Sequence, residues 1–318
     1  MDIEWSKQYC LYYITKMTKK HNLDNISRTK AYQHFYLQYP EIKWALVASI
    51  VSRNAGWNMT DLYLPAYQSL LSKKERTQLF MTYERANWLI FSDAFPQLLV
   101  YKLSRKYNRP LFYLLKKYNV STYMINEWNH FWKTNDTERL MVALIINEQN
   151  VIQTPVINQS YFKHHVFMRL PYLVQDFLLM NAVLLPTRSG IIYGEFVQGF
   201  TKIKNRISIG KQIAATIFSE NIYQEIIRFV KSVEHTGSRM DYEQFLPVPP
   251  SRNPFLRIVY PVITHQDKIR NDWYKLGGIK KDWVIPAQTV PNERIGSIFY
   301  KKRNLLQAYY HFKQVIKK

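Results

Sequence analysis

The sequence predicts a mainly α protein: a multi-helix globular body around buried central helices, then an irregular proline-rich stretch and a final basic helix. Three observations carry this. Residues 44–51 are all apolar or small, and a helix with no face to give to water belongs inside a helical protein. Residues 140–146 form a second dry run of the same kind. Only 9 of 318 residues are glycine while 47% are hydrophobic, which argues for folded helices rather than disorder.

Taken in order, residues 3–20 read as an amphipathic helix rich in aromatics and closed by Lys19, Lys20 and His21, cations that suit a helix C-terminus. Ser27 reads as the cap of the next helix, which ends at Pro40. The central helix is expected to begin there, with Glu41 at its positive end, and to stop at Gly56 in a left-handed cap. A turn and a short helix near 65–72 follow. A long helix is then expected from about Lys74 to Lys106, kinked or restarted at Pro96 with Asp93 as the new cap.

Short helices are predicted at 110–118 and at 121–132, the latter capped by Ser121. Others are expected at 171–184, at 206–218, and at 222–234 behind Asn221. Near residue 235 the texture changes: 7 of the 14 prolines lie between Pro247 and Pro291, so an extended segment with a strand at 255–263 is predicted. A basic amphipathic helix closes the chain at about 293–317, with Ile298, Leu305, Tyr309, Phe312 and Ile316 on one stripe. Residues 1–234 thus form a helical body, and 235–318 a wrap packed on it as one unit.

Net charge is +21 at pH 7, a value that speaks about partners and favours encounter with polyanions. The single cysteine, Cys10, excludes an intramolecular disulfide and a thiolate metal cluster. The N-terminus is acidic where a secretory signal would be basic, and the run 177–185 is too short to span a bilayer. A cytoplasmic location is expected, with no transmembrane segment.

Three groups of residues are candidates for function. The first is a polar cluster: Arg53, Asn54, Asn58, Asp61, Glu84, Arg85, Asn87, Asp93 and Glu148. Antiparallel packing of the helices at 41–54 and 74–95 would let Arg53 meet Glu84, and Asn54 or Asp61 meet Arg85. The result is either a pocket walled by Trp57 and Trp88, as in an enzyme, or a polar network that sets helix register. The second is the loop bearing His235, Ser238, Arg239, Asp241 and Glu243. It offers acid–base groups, yet His235 and Gly237 also read as a helix end, and Ser238 with Asp241 as a capping box.

The third is a basic surface. Residues 94–126 hold Lys102, Arg105, Lys106, Arg109, Lys116 and Lys117 and no acidic residue, and Lys301, Lys302 and Arg303 stand near the end among tyrosines. Basic groups track phosphates and exposed tyrosines stack on unpaired bases, so nucleic acid is favoured slightly over an anionic membrane surface. The alternative is aromatics turned to the core and lysines that merely solvate. No metal or cofactor motif is found: Gly210-Lys211 lacks the rest of a phosphate loop, Gly190, Gly194 and Gly199 have the wrong spacing for a dinucleotide, and His164-His165 diverge. Lys275-Leu276-Gly277-Gly278-Ile279-Lys280 resembles a helix-hairpin-helix turn, but Pro286 interrupts the helix it needs.

Several blocks resemble the YppC-like proteins of bacilli, an uncharacterised family with a domain of unknown function. They are Asp24-Asn25-Ile26-Ser27-Arg28-Thr29-Lys30-Ala31-Tyr32, Val51-Ser52-Arg53-Asn54-Ala55-Gly56-Trp57-Asn58-Met59-Thr60-Asp61-Leu62, Glu84-Arg85-Ala86-Asn87-Trp88-Leu89-Ile90-Phe91 and His235-Thr236-Gly237-Ser238-Arg239-Met240-Asp241-Tyr242-Glu243. The resemblance spans most of the chain. It implies a cytoplasmic bacterial protein with one family-wide fold, and brings no activity with it.

Overall fold

Helix α3 (Trp44–Asp61) is the axis of the molecule: all of its 18 residues are buried except Val51 and Asn58. Around it, a computed structural model describes residues 3–158, 182–197, 199–247, 249–266, 270–285 and 293–316. The fold is mainly α, as the sequence predicts. α3 runs straight through Gly56, where a stop was expected. A Cβ there would sit 2.4 Å from Asn25 Oδ1 and 2.9 Å from His235 Nε2, so the glycine answers to close approach rather than to a cap. The helix also starts later than expected, because Glu41 accepts a hydrogen bond from the Tyr101 hydroxyl at 2.6 Å instead of opening the first turn.

Before α3 come α1 (Ile3–His21) and α2 (Asn25–Gln38). The cap of α2 is Asp24, which accepts the Ser27 N–H at 2.7 Å, not Ser27 itself. After α3 a short α4 (Pro65–Leu70) leads to α5 (Lys73–Tyr107), one continuous helix of 35 residues with Pro96 inside it. Asp93 does not cap a second half. Its carboxylate accepts from Gln97 at 2.7 Å, Asn147 at 2.6 Å and Arg270 at 3.3 Å. Those bonds tie α5 to α7 (Thr137–Ile152) and to the C-terminal wrap.

Between α5 and α7 lie a 3₁₀ helix (Phe112–Tyr118) and α6 (Thr122–Thr134), the latter capped by Ser121 as predicted. The helix expected at 171–184 falls mostly outside the described residues. Its last three positions belong to strand β1 (Ala182–Pro186), which pairs antiparallel with β2 (Ile192–Phe196) from Ala182↔Phe196 to Pro186↔Ile192. Its run of apolar residues does not separate strand from helix by periodicity. The turn at Gly190, with φ of 80°, is the local signal for the hairpin.

α8 (Ile203–Ile217) and α9 (Glu220–Ser232) complete the body, with α9 entered from Ser219 rather than Asn221. The extended segment then carries short helical turns, including Leu256–Val259 where a strand was predicted. There Tyr260 stacks on Phe80 of α5, with ring centroids 3.7 Å apart, so the segment packs by side chains and not by a ladder. The last helix, α10 (Gly296–Ile316), docks through Phe299, Arg303 and Leu306. Its Ile298, Leu305, Tyr309 and Phe312 share one stripe as expected, and that stripe is exposed. The helix is rotated so that Arg303 reaches Asp61.

Residues 137–157 are long and apolar enough by composition to cross a bilayer, and 61% of their most apolar window is packed inside the protein.

Candidate functional site

Of the predicted polar cluster, Arg53, Asn54, Asp61, Glu84 and Asp93 are buried while Asn58, Arg85, Asn87 and Glu148 are half-buried, and the charged groups pair differently from expectation. Arg53 does not meet Glu84. Its Nη2 donates to Gln33 Oε1 and to the Val233 carbonyl, both at 2.9 Å, and its guanidinium lies 5.7 Å from the Phe229 ring centre. Burial lowers its pKa to about 10. Glu84 is taken by Arg28 of α2, 2.5 Å away, with His265 at 3.5 Å. Burial alone would raise the Glu84 carboxyl; Arg28 and His265 outweigh it and hold it below the usual range. Arg28 was missed because it sits in an apolar stripe with Tyr32 and Phe35, and a cation in such a stripe is the signal that it has a buried partner.

Asp61 likewise meets Arg239 and Arg303 rather than Arg85. Arg239 Nε donates to both carboxylate oxygens, Asn58 accepts from Arg239 Nη2 at 2.9 Å, and Asn253 adds a bond to Asp61 at 2.7 Å. Burial would raise this carboxyl, and the two arginines bring it below its ordinary value. Arg85 turns the other way, its guanidinium 4.9 Å from the Trp88 ring centre and donating to the Gln266 carbonyl. Asn54 spends its amide on the backbone of β1: Leu184 N–H donates to it at 2.8 Å and Leu184 O accepts from it at 2.9 Å.

The loop candidates are equally dry. His235 is 1% exposed, between Asp241 at 3.2 Å and Asn25 at 2.8 Å. Burial lowers its pKa to about 4 despite the Asp241 bond, so the ring is neutral at pH 7. Asp241 also accepts from the Trp57 indole at 3.0 Å and from Thr236. Ser238 bonds the Asn253 carbonyl, and Glu243 accepts from Tyr300 and Ser251. The expected capping box is absent, because Asp241 satisfies the backbone of Thr236 and not that of Ser238. The preceding helix ends at Ser232, before His235. These networks join the wrap to α3 through Trp57–Asp241, Thr60–Gly237 and Asp61–Arg239.

A cavity of about 190 Å³ between α3, α5 and α7 opens to solvent. Val51 and Asn58, the two residues of α3 that are not buried, both line it, with Asn54, Asn87, Ile90 and Glu148. Neither Trp57 nor Trp88 is a wall, and Arg53, Glu84 and Arg85 do not line it. Asn87 bonds its own helix at the Tyr83 carbonyl. Glu148 accepts from the Trp44 indole at 3.0 Å and from Gln149 at 2.9 Å. Burial raises its pKa to about 7, only partly opposed by those two bonds. Among the described residues no group of three or more His, Cys, Asp and Glu side chains is arranged to hold a metal.

On the surface, Arg105, Lys106, Arg109, Lys116 and Lys117 are exposed at the end of α5 and on the 3₁₀ helix, and Lys102 is half-buried. Tyr107 and Tyr113 stand exposed among them, and Tyr9 and Tyr12 on α1. The two elements are joined where the Tyr118 hydroxyl donates to the Leu11 carbonyl at 2.9 Å. Lys106 and Arg109 are close enough to Cys10 of α1 to oppose the rise in its pKa caused by burial. The second basic group breaks up: Lys301 is exposed, Lys302 lies over the Phe196 ring, and Arg303 is buried on Asp61. Lys317 and Lys318 lie outside the described residues, as does the His164-His165 pair.

Comparison with known proteins places these observations in a family. No solved structure matches the chain. It is 44% identical over 306 residues to the "Uncharacterized protein YppC" of Bacillus subtilis (strain 168), covering 96% of this chain and 95% of that protein. The family described as "Protein of unknown function (DUF2515)" matches residues 20–293. The chain belongs to that family, as the blocks shared with YppC-like proteins imply.

Proposed function

We propose that this is a cytoplasmic polyanion-binding protein that takes single-stranded nucleic acid on the face built from the end of α5 and the 3₁₀ helix, beside α1. The observation that carries the reading is the interleaving of exposed Tyr107 and Tyr113 with exposed Arg105, Lys106, Arg109, Lys116 and Lys117 in a stretch without acidic residues. Cations follow a phosphate backbone, and tyrosine rings stack on bases only where those are unpaired. Among the described residues of this face no element is placed to read base edges in a duplex groove, so preference for sequence is expected to be weak. An anionic lipid surface is the second reading, favoured by the exposed apolar stripe of Ile298, Leu305, Tyr309 and Phe312 on α10.

The test is fluorescence anisotropy with labelled single-stranded and duplex oligonucleotides, beside flotation with anionic vesicles. Binding to the single strand is expected to exceed that to duplex, and to fall by at least about tenfold between roughly 50 and 200 mM salt. Changing Lys106, Arg109, Lys116 and Lys117 together to glutamate should abolish it, and Tyr107→Ala with Tyr113→Ala should erase the preference for the single strand. Salt-insensitive binding, or none to either oligonucleotide, overturns the reading, and capture by vesicles alone transfers it to the membrane.

A further inference from the structure

We propose that the cavity between α3, α5 and α7 is a binding site for a compact, mostly apolar molecule that carries a hydroxyl group, an alcohol or phenol of roughly benzyl-alcohol size. The inference is independent of the nucleic-acid reading, since the cavity and the basic face share no residue.

Size sets the first limit. A cavity of about 190 Å³ is a little larger than the apolar cavity of about 150 Å³ that accepts benzene in another protein. One ring and a short substituent fit, and a nucleotide or a long acyl chain does not.

The wall sets the chemistry. Ala48, Val51, Ala55, Leu79, Ile90 and Ile152 supply apolar surface from three helices, which holds a ligand by burial and without direction. Polar side chains line it as well, Arg28, Asn54, Asn58 and Asn87 among them, and two further ones supply direction. Tyr32 lines the cavity, is 3% exposed, and has a hydroxyl with no hydrogen-bond partner among the described residues. A buried hydroxyl left unpaired is costly, and such groups are rare in folded proteins. The second is Glu148. The Trp44 and Gln149 donors fix its carboxyl in place and leave acceptor capacity unused. No lysine or arginine pairs with it among the described residues. A ligand hydroxyl satisfies both groups at once, accepting from Tyr32 and donating to Glu148. A hydrocarbon of the same size would satisfy neither.

The exposure pattern agrees. Along α3 the two residues that are not buried, Val51 and Asn58, are seven positions apart and both line this cavity. Two helical turns separate them, so they share one face, and the break in the burial of α3 is that face.

The experiment is saturation-transfer NMR on the full chain with benzyl alcohol and toluene as probes. Benzyl alcohol is expected to bind several-fold more tightly than toluene. Tyr32→Phe should remove the advantage of benzyl alcohol over toluene and leave toluene unchanged. Ala86→Phe, which projects a ring from α5 into the cavity, should abolish transfer to both probes while far-UV circular dichroism stays native. Should that variant not fold, Ala55→Leu on α3 serves the same purpose. Absence of transfer to benzyl alcohol, equal binding of benzyl alcohol and toluene, or binding that survives filling of the cavity would each overturn the proposal.

Discussion

Asp61 and Arg303 lie 242 positions apart and touch through both carboxylate oxygens at 3.0 Å. The pair joins the end of α3 to α10, and Arg239 on the same carboxylate joins the wrap between them. Three segments distant in sequence therefore share one buried anion. Removing the anion strands two guanidinium groups in a dry interior, whereas removing Arg303 leaves Asp61 with Arg239.

Asp61→Asn is accordingly predicted to cost on the order of 3–5 kcal/mol, as expected when one partner of a buried pair is removed. Arg303→Met should cost clearly less. Urea unfolding of both variants checks this through the midpoint, with the slope showing whether α10 detaches first. Equal losses would mean that Asp61 does not organise the junction.

Gly56→Ala separates propensity from packing. In a helix interior alanine is favoured over glycine by about 1 kcal/mol, so an exposed site would gain stability. At position 56 the new methyl meets Asn25 Oδ1 and His235 Nε2. Neither can withdraw: Asn25 donates to the Ser52 carbonyl at 2.7 Å, and His235 is held by Asp241. The clash is expected to win, with a net loss of roughly 1–3 kcal/mol. Gly277→Ala is the control, since nothing lies within 4 Å of its added methyl. A melting temperature for Gly56→Ala equal to or above that of the parent would contradict this account.

The same glycine shows where the sequence was legible and where it was not. The dryness of residues 44–51 gives the central helix, because a helix apolar all round has one place to go. Likewise Ser121 gives a helix start, because its cap is local. Gly56 is ambiguous: a glycine at a helix stop and one under a crossing side chain look alike until Asn25 and His235 are in place. Partner choice fails for a related reason. The tails of the dry helices were correctly marked as polar, yet Arg53 with Glu84 and Asp61 with Arg85 followed from two helices alone. α2 brings Arg28, and the wrap brings Arg239, to the same carboxylates. Glu148 was legible as a polar residue at the end of a dry run. Tyr32 was not, since a tyrosine in an apolar stripe normally finds a partner for its hydroxyl.

Glu148 carries the prediction that depends most on pH. Its carboxyl titrates at about 7 in the folded protein and near 4.3 in an unfolded chain. Between these values the folded state binds more protons than the unfolded state, so this group lowers stability as pH rises. Below about pH 4 both forms are protonated and it contributes nothing. Above about pH 8 the penalty is complete, roughly 4 kcal/mol for a shift of this size. Glu148→Gln cannot ionise, and its side chain still offers an acceptor for the Trp44 indole. The variant should therefore be more stable than the parent at pH 8, with the gap narrowing steadily toward pH 5. Urea midpoints measured across that range read the slope directly. A gap that stays constant with pH, or one that widens toward acid, would show that Glu148 is ionised in the folded protein well below pH 7.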